Sequence, residues 1–241
     1  VGTLAALAGP GDLVVSDALN HASIIDGARL CRARIVVTPH RDVAAVAATL
    51  ASRTEERAIV VTDAVFSVDG DLAPMAELVA TARRYRAGLV VDEAHAFGVL
   101  GRGGRGALDM AGLAGAPDVV VTATLSKALG SQGGTVLGSR DVIEHIVDAG
   151  RTFIFDTGLA PGSAGAALAA LRILAAQPQL AGQVRRRAGQ LAAAARAAEL
   201  AVTDPAAAVT SVLIGAPEQA IAATARCAEI GVRVGCFRPP S

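Results

Sequence analysis

The amino-acid sequence predicts an α/β fold, a mostly parallel sheet sandwiched by helices, and three observations carry that prediction. Short runs rich in Val and Ile alternate with amphipathic stretches along the chain. The runs are almost wholly apolar instead of alternating, as strands covered on both faces are. The composition, 52% hydrophobic with 18% charged residues, supplies a large core; a charged share below the roughly 25% usual in soluble domains also leaves apolar surface for a subunit interface.

Taken in order, strands are expected at 13–16, 34–38, 58–62, 88–92 and 118–122. Helical segments lie between them, and the clearest spans 74–86. Its residues Met75, Leu78, Val79, Ala82 and Tyr85 share one face, Pro74 stands in the first turn, and Arg83, Arg84 and Arg86 point outward or lie near the end. Such βαβ alternation implies right-handed crossovers and a parallel sheet. After about residue 156 the texture changes to Ala-rich helices at 161–176 and 182–198, separated by Gln177-Pro178. A strand at 209–214, a helix at 218–230 and a strand at 232–236 then read as the start of a smaller α/β unit. The expected division is a large domain over 1–158, N-terminally incomplete, and a small C-terminal domain over 159–241, C-terminally incomplete, with a further strand or helix to follow.

Lys+Arg and Asp+Glu each total 22, so the formal charge is zero. No basic field is available to draw nucleic acid or anionic lipid, and no apolar run reaches the ~20 residues of a membrane span. Cys31, Cys227 and Cys236 form no CxxC pair and have no His at zinc spacing, which fits reduced thiols in a cytoplasmic protein and no metal site. The basic residues are 21 Arg and one Lys, Lys127. A lysine kept against such a bias points to chemistry that Arg cannot do: Arg is not deprotonated at working pH and cannot form a Schiff base.

Open parallel sheets bind ligands at the carboxyl ends of their strands. Three polar clusters fall there: Asp63-Ala64-Val65-Phe66-Ser67, Asp92-Glu93-Ala94-His95 and Thr124-Leu125-Ser126-Lys127. Together they fit a pocket for pyridoxal 5'-phosphate (PLP). Asp92 is placed to keep a pyridine nitrogen protonated, because an anion beside a cation raises its pKa. Lys127 supplies the amine that condenses with the aldehyde. Thr124, Ser126 and the glycine-rich run 130–134 offer hydroxyls and backbone N–H groups to a phosphate. His95 and His21 are candidates for tuning the ring. Blander readings stand beside these. His21 is also a plausible helix-start hydrogen-bonder, Glu93 a supporting residue, His40 and His145 surface or structural histidines, 101–106 a mobile loop near the pocket, and Arg185-Arg186-Arg187 a solvated helix face. The string Asp-Glu-Ala-His also occurs in helicases of the P-loop class. That chemistry needs an upstream GxxxxGK[ST] loop, and the sole lysine lies downstream.

The segments His21-Ala22-Ser23-Ile24-Ile25-Asp26-Gly27, Phe66-Ser67-Val68-Asp69-Gly70-Asp71, Val91-Asp92-Glu93-Ala94-His95 and Thr124-Leu125-Ser126-Lys127-Ala128-Leu129-Gly130 resemble the α-oxoamine synthases. Phe153-Ile154-Phe155-Asp156-Thr157-Gly158-Leu159-Ala160-Pro161 and Phe237-Arg238-Pro239-Pro240 match them too, in order over essentially the whole chain. The resemblance implies the large domain of a PLP-dependent transferase of fold type I. It implies Lys127 as Schiff-base lysine and proton shuttle, Asp92 at the pyridine nitrogen, His95 at the phenolic oxygen with Ser67 nearby, His21 on the ring face and Thr124 on the phosphate. Thr157 resembles the family residue that reaches the phosphate in the partner subunit, which implies a homodimer. The activity implied is an acyltransferase of biotin biosynthesis that joins L-alanine to a pimeloyl thioester, pimeloyl-CoA or pimeloyl-acyl-carrier protein, with loss of CO2. The 2-amino-3-ketobutyrate ligases, 5-aminolevulinate synthases and serine palmitoyltransferases share the PLP set and differ in amino acid and acyl donor. Family members extend past both ends of this chain, and those extensions hold a phosphate loop and an Arg for the amino-acid carboxylate.

Overall fold

The structure is a computed structural model that describes residues 1–238. Its strands are β1 (Leu13–Asp17), β2 (Arg34–Thr38), β3 (Ala58–Asp63), β4 (Gly88–Asp92), β5 (Val119–Thr124) and β6 (Gly134–Leu137). They form one sheet in the order β2-β1-β3-β4-β5-β6, with β1 to β5 parallel and β6 antiparallel to β5. The five expected strands are present with ends moved by no more than two residues. β6 is absent from the sequence reading because its few residues follow directly on a glycine-rich turn.

The helices are α1 (Gly2–Leu7), α2 (Ala22–Leu30), α3 (Val43–Ala51), α4 (Met75–Arg84), α5 (Ala107–Met110), α6 (Arg140–Ala149), α7 (Arg151–Ile154), α8 (Pro161–Ala176), α9 (Gln179–Ala197) and α10 (Pro217–Glu229). Successive strand residues point to opposite faces, and the core divides accordingly. Leu13, Val15, Val60, Leu89, Val91 and Val119 pack against Val46 and Leu50 of α3 and Met75, Leu78, Val79 and Ala82 of α4. Val14, Ile59, Val61, Val90 and Val120 pack against Leu4 of α1 and Ile24 and Ala28 of α2. α4 buries the predicted apolar stripe. Pro74 is its N-cap, one position before the expected first turn, and Arg86, at φ 51°, turns the chain out of the helix.

This division positions the site. From β1 the chain crosses to β2 on one side of the sheet, whereas β3, β4 and β5 follow on the other. The strand order reverses beside β1, and the connections on either side of that point leave a crevice at the strand ends. The polypeptide after β4 is bound tightly at the same edge. Glu93, 3% exposed, accepts the N–H groups of Ala107 (2.8 Å) and Leu108 (2.9 Å) at the start of α5. Gly98 donates to Gly104 O and Gly106 to Leu100 O, and Asp109 receives the Arg102 N–H and guanidinium. The segment expected as a mobile loop at 101–106 is therefore pinned by its own hydrogen bonds and by the buried carboxylate beneath it.

The C-terminal expectations need two corrections. α8 lies at the expected bounds, α9 begins at Gln179, directly after Pro178, and α10 covers the expected helix. The strands expected at 209–214 and 232–236 do not form. A strand exists only where its backbone groups meet a neighbour's, and among the described residues this region holds a single antiparallel bridge, Val202 to Val212. Apolar runs without a partner strand stay irregular, with Leu213 and Val232 exposed. Of the Phe237-Arg238-Pro239-Pro240 motif, Pro239 and Pro240 lie outside the described residues.

Gly106 has φ 105°, and a Cβ there would stand 2.4 Å from Glu93 Oε2; Gly112, at φ 73°, has open space around it. Backbone strain at such angles costs about 1–3 kcal/mol. Gly106→Ala is expected to lose that and more, because it also displaces the Glu93 carboxylate, while Gly112→Ala loses the strain alone. Denaturant midpoints of the two variants check this; equal losses would mean that Glu93 does not hold α5.

Candidate active site

The site is built from four strand ends. β3 and β4 finish in register on two carboxylates, Asp63 opposite Asp92. Asp63 is 2% exposed and Asn20, after β1, is 5% exposed. Asn20 donates through Nδ2 to Val61 O (2.9 Å) and accepts the Asp63 N–H at Oδ1 (2.9 Å). Asp63 Oδ2 in turn accepts the His21 N–H at 2.7 Å. One amide and one carboxylate thus fasten the end of β1 to that of β3 across the crevice and set the position of His21. The sequence reading missed Asn20, and it placed Asp63 in a polar cluster at the pocket but gave it no role. An Asp ending the apolar run Ile59-Val60-Val61-Thr62 is the same signal that marked Asp92 after Leu89-Val90-Val91.

His21 is the N-cap of α2, and its Nδ1 accepts the Ser23 N–H at 3.2 Å. The helix-start reading therefore holds, while the residue remains exposed. Asp92 Oδ1 accepts the Ala94 N–H at 2.9 Å, which fixes the carboxylate and turns the chain toward His95. Glu93 points away from both, into α5. Among the described residues no group of three His, Cys, Asp or Glu side chains is disposed to hold a metal ion.

β5 delivers the last cluster. The Thr124 and Ser126 hydroxyls lie 2.6 Å apart, and Thr124 Oγ1 also contacts Gly133 O at 3.2 Å. Gly130 donates to Lys127 O, and Leu125 donates to Gly133 O. The glycine run 130–134 accordingly builds the turn into β6, with Gly130 at φ 57° and Gly133 at φ 106°; the Gly130 N–H is already taken and is not offered to an anion. Lys127 is exposed as a residue, while its amine is partly desolvated by the groups around it.

Electrostatics ties these groups together. Burial lowers the pKa of the Lys127 amine, against the opposing charges of Asp92 and Asp63. Burial, helped by the Lys127 charge, lowers His95 to about 4, with Asp92 opposing. Burial raises Asp63 to about 7; the His21 N–H opposes that shift and the Asp92 charge adds to it. Lys127 thus lies within electrostatic reach of Asp92, Asp63 and His95, and His95 within reach of Asp92 and His21. Two expected residues lie on other segments. Ser67 is half-buried in the turn after β3. Thr157 lies on the wholly exposed stretch 151–160, and among the described residues no hydrogen bond or ion pair joins it to the cluster. Phe153 and Phe155 of the same stretch are 61% and 72% exposed, a concentration of large apolar surface that usually marks an interaction site.

A sheet of this topology, carrying an amine and a carboxylate at adjacent strand ends, is the frame of a family that the whole sequence matches. Residues 1–241 fit the model for aminotransferase class I and II, and the chain belongs to that family. Among its relatives, 8-amino-7-oxononanoate synthase of Mycolicibacterium smegmatis is 61% identical over 241 residues, all of this chain and 62% of that protein. The chain therefore spans less than two thirds of the curated relatives it matches. Of the solved structures, a serine palmitoyltransferase from S. paucimobilis with bound PLP-myriocin aldimine superposes with a TM-score of 0.90 at 31% identity, over 97% of this chain and 63% of that one. The 8-amino-7-oxononanoate synthase of Francisella tularensis gives 0.86 at 26% identity, over 99% and 70%. The α/β fold of the PLP-dependent type I enzymes, expected from the sequence, is the fold observed.

A carboxyl whose folded pKa lies above its unfolded value binds a proton on folding. For Asp63 the associated stability is complete below the ordinary Asp range and is lost as pH rises through about 7. Asp63→Asn keeps an acceptor for the His21 N–H and removes the titration. In the protein without cofactor, its melting temperature relative to the parent should climb between about pH 4 and pH 7 and level off above. A difference that does not vary with pH would show that Asp63 is charged throughout.

Proposed function

We propose that this chain carries the PLP-binding core of an 8-amino-7-oxononanoate synthase, a cytoplasmic homodimer of biotin biosynthesis. The reaction is L-alanine plus a pimeloyl thioester, on coenzyme A or acyl-carrier protein, giving 8-amino-7-oxononanoate, CO2 and the free carrier thiol. Identity of 61% to a relative of that name supports the reaction. The observation that carries the reading is the placement of Lys127, the sole lysine, within electrostatic reach of Asp92 and His95 at neighbouring strand ends. We assign 1–158 to the large domain and 159–241 to the small one.

The donor set fits PLP. It offers a primary amine, a carboxylate one strand away and a pair of hydroxyls 2.6 Å apart beside the amine. When bound, PLP supplies an aldehyde for amines and a ring that accepts electron density from a neighbouring carbon. Lys127 reacts as the free amine, and its lowered pKa enlarges that fraction at neutral pH. With the amino acid bound, the same amine would be the base that takes and returns a proton at the substrate α-carbon. Asp92 holds a proton on the ring nitrogen, its Oδ1 braced by the Ala94 N–H. His95, with its pKa at about 4, is neutral at working pH; it hydrogen-bonds the ring oxygen without adding charge, with Ser67 beside it. His21 would lie against the ring. Thr124 and Ser126 bind phosphate oxygens, and Thr157 reaches the phosphate held by the partner subunit. The exposed Phe153 and Phe155 beside Thr157 support an interface there. No described helix is long and apolar enough to cross a membrane.

In the intact protein Lys127→Ala should abolish the visible absorbance of bound PLP and cut turnover by at least about 10²-fold. Lys127→Arg should do no better, because the requirement is for a deprotonatable amine and not for charge. Asp92→Asn should retain weakened PLP binding and lower the rate of α-proton exchange into solvent. Mass spectrometry of products from alanine, glycine and serine against several acyl thioesters identifies the substrates. Turnover by Lys127→Ala would refute the amine assignment, and a preference for glycine or serine would move the protein to another member of the α-oxoamine synthases.

A further inference from the structure

His40 lies outside the crevice, in the turn between β2 and α3, and both of its ring nitrogens are engaged by carboxylates. Nδ1 is 2.9 Å from Asp17 Oδ1 and Nε2 is 2.9 Å from Asp71 Oδ2. The ring stands edge-on to Phe66, with centroids 4.4 Å apart at 82°. The charged groups that face it are Asp17 from the end of β1, Asp71 from the loop after β3 and Arg41 from its own turn. Arg41 donates its N–H to Asp17 Oδ2 (2.7 Å) and its guanidinium to Asp71 Oδ2 (3.1 Å). Asp42 is turned away to cap α3 through the Ala45 N–H.

Each carboxylate belongs to a turn that carries or leads to a site residue. Asp17 Oδ1 also accepts the Leu19 N–H at 2.8 Å, which shapes the turn leading to Asn20 and His21. Asp71 closes the turn carrying Ser67, where Phe66 N–H binds Asp71 O and Gly70 N–H binds Phe66 O. From the C-terminal part of the chain, Ser211 Oγ donates to Val68 O and the Ala206 N–H to Gly70 O, bracing the second turn from its far side. Carboxylates only accept, and a neutral imidazole has a single N–H. Both bonds form together only when the ring carries two protons.

We infer that His40 is a positioning residue: as an imidazolium bridging Asp17 and Asp71, it holds the turn that ends in His21 against the turn that carries Ser67. The role rests on the reading of that crevice as the PLP site. Burial, the largest single influence, lowers the His40 pKa, but the two carboxylates together outweigh it and the net shift is upward. A histidine with a raised folded pKa contributes stability that is complete below its unfolded pKa and is lost as pH rises through the folded one. The bridge is therefore closed at mildly acid pH and loses one of its two bonds as pH rises through the raised pKa.

The test is a nitrogen-15 NMR titration of the intact protein, with and without PLP, comparing parent, Asp71→Asn and His40→Gln. In the parent, His40 should be protonated on both nitrogens at pH 6 and titrate above the ~6.5 of a free histidine. The resonances of His21 and Ser67 should report the same midpoint. Asp71→Asn should lower that midpoint by about one unit and shift the alkaline limb of kcat/KM in step, since an opposite charge within hydrogen-bond distance moves a pKa by about that much or more. His40→Gln should fold, weaken PLP affinity by about tenfold for the lost bond, and abolish the shared midpoint. A neutral His40 at pH 6, or a His40 titration that His21 and Ser67 do not sense, would overturn the inference. The PLP-free titration decides this whether or not the parent binds PLP, whereas absent PLP binding would count against the site itself.

Discussion

Asp63 and Asp92 end neighbouring parallel strands in register, and the Lys127 amine faces both. Burial raises the pKa of Asp63, the more deeply buried of the two, to about 7, and the charge of Asp92 on the adjacent strand end adds to that shift. Lys127 offsets part of the remaining charge and is itself held between opposing influences, burial against the two acids. Such balance leaves the amine closer to neutrality than an ordinary surface lysine, as a nucleophile requires. The same arrangement keeps His95 neutral. Removing the charge of Asp92 or of Lys127 therefore shifts the pKa of both Asp63 and His95.

The rest of the molecule serves to keep those ends in place. The reversal of strand order beside β1 opens the crevice, and Asn20 fastens its two sides with bonds to Val61 O and the Asp63 N–H. Beneath Asp92, Glu93 is spent wholly on the start of α5, so the loop bearing His95 is anchored by a buried carboxylate bound to two backbone N–H groups. A buried acid is tolerated when its lone pairs are met, and a glycine at 106 is what allows the contact. Function therefore sits on irregular segments, but each is tied at several points to the sheet.

Much of this was legible in the sequence, and the limits have physical causes. The strands β1 to β5 are apolar on both faces and announce themselves by composition, as do Asp92, His95 and Lys127 at their ends. β6 is four residues long and begins with glycine, so propensity alone gives no signal for it. The runs at 209–214 and 232–236 have strand composition, but composition cannot supply the neighbour that a strand must pair with. Asn20 was hidden for another reason: its importance lies in bonds to Val61 O and the Asp63 N–H, more than forty residues on, and no local pattern reports those. His40 looked structural, and its two carboxylate partners, Asp17 and Asp71, are likewise distant in the chain. The 101–106 stretch reads as mobile because of its glycines, whereas their positive φ angles are what let it fold back onto Glu93 and Asp109.

Membership of the aminotransferase class I and II family narrows the chemistry, and a P-loop reading of Asp-Glu-Ala-His has no support in this fold, where that string closes β4 beside an amine. The most direct measurement is borohydride reduction of the intact protein loaded with PLP, followed by peptide mapping. The account predicts one reduced PLP adduct, on the peptide containing Lys127. An unlabelled Lys127, with the adduct on another amine or on none, would contradict it.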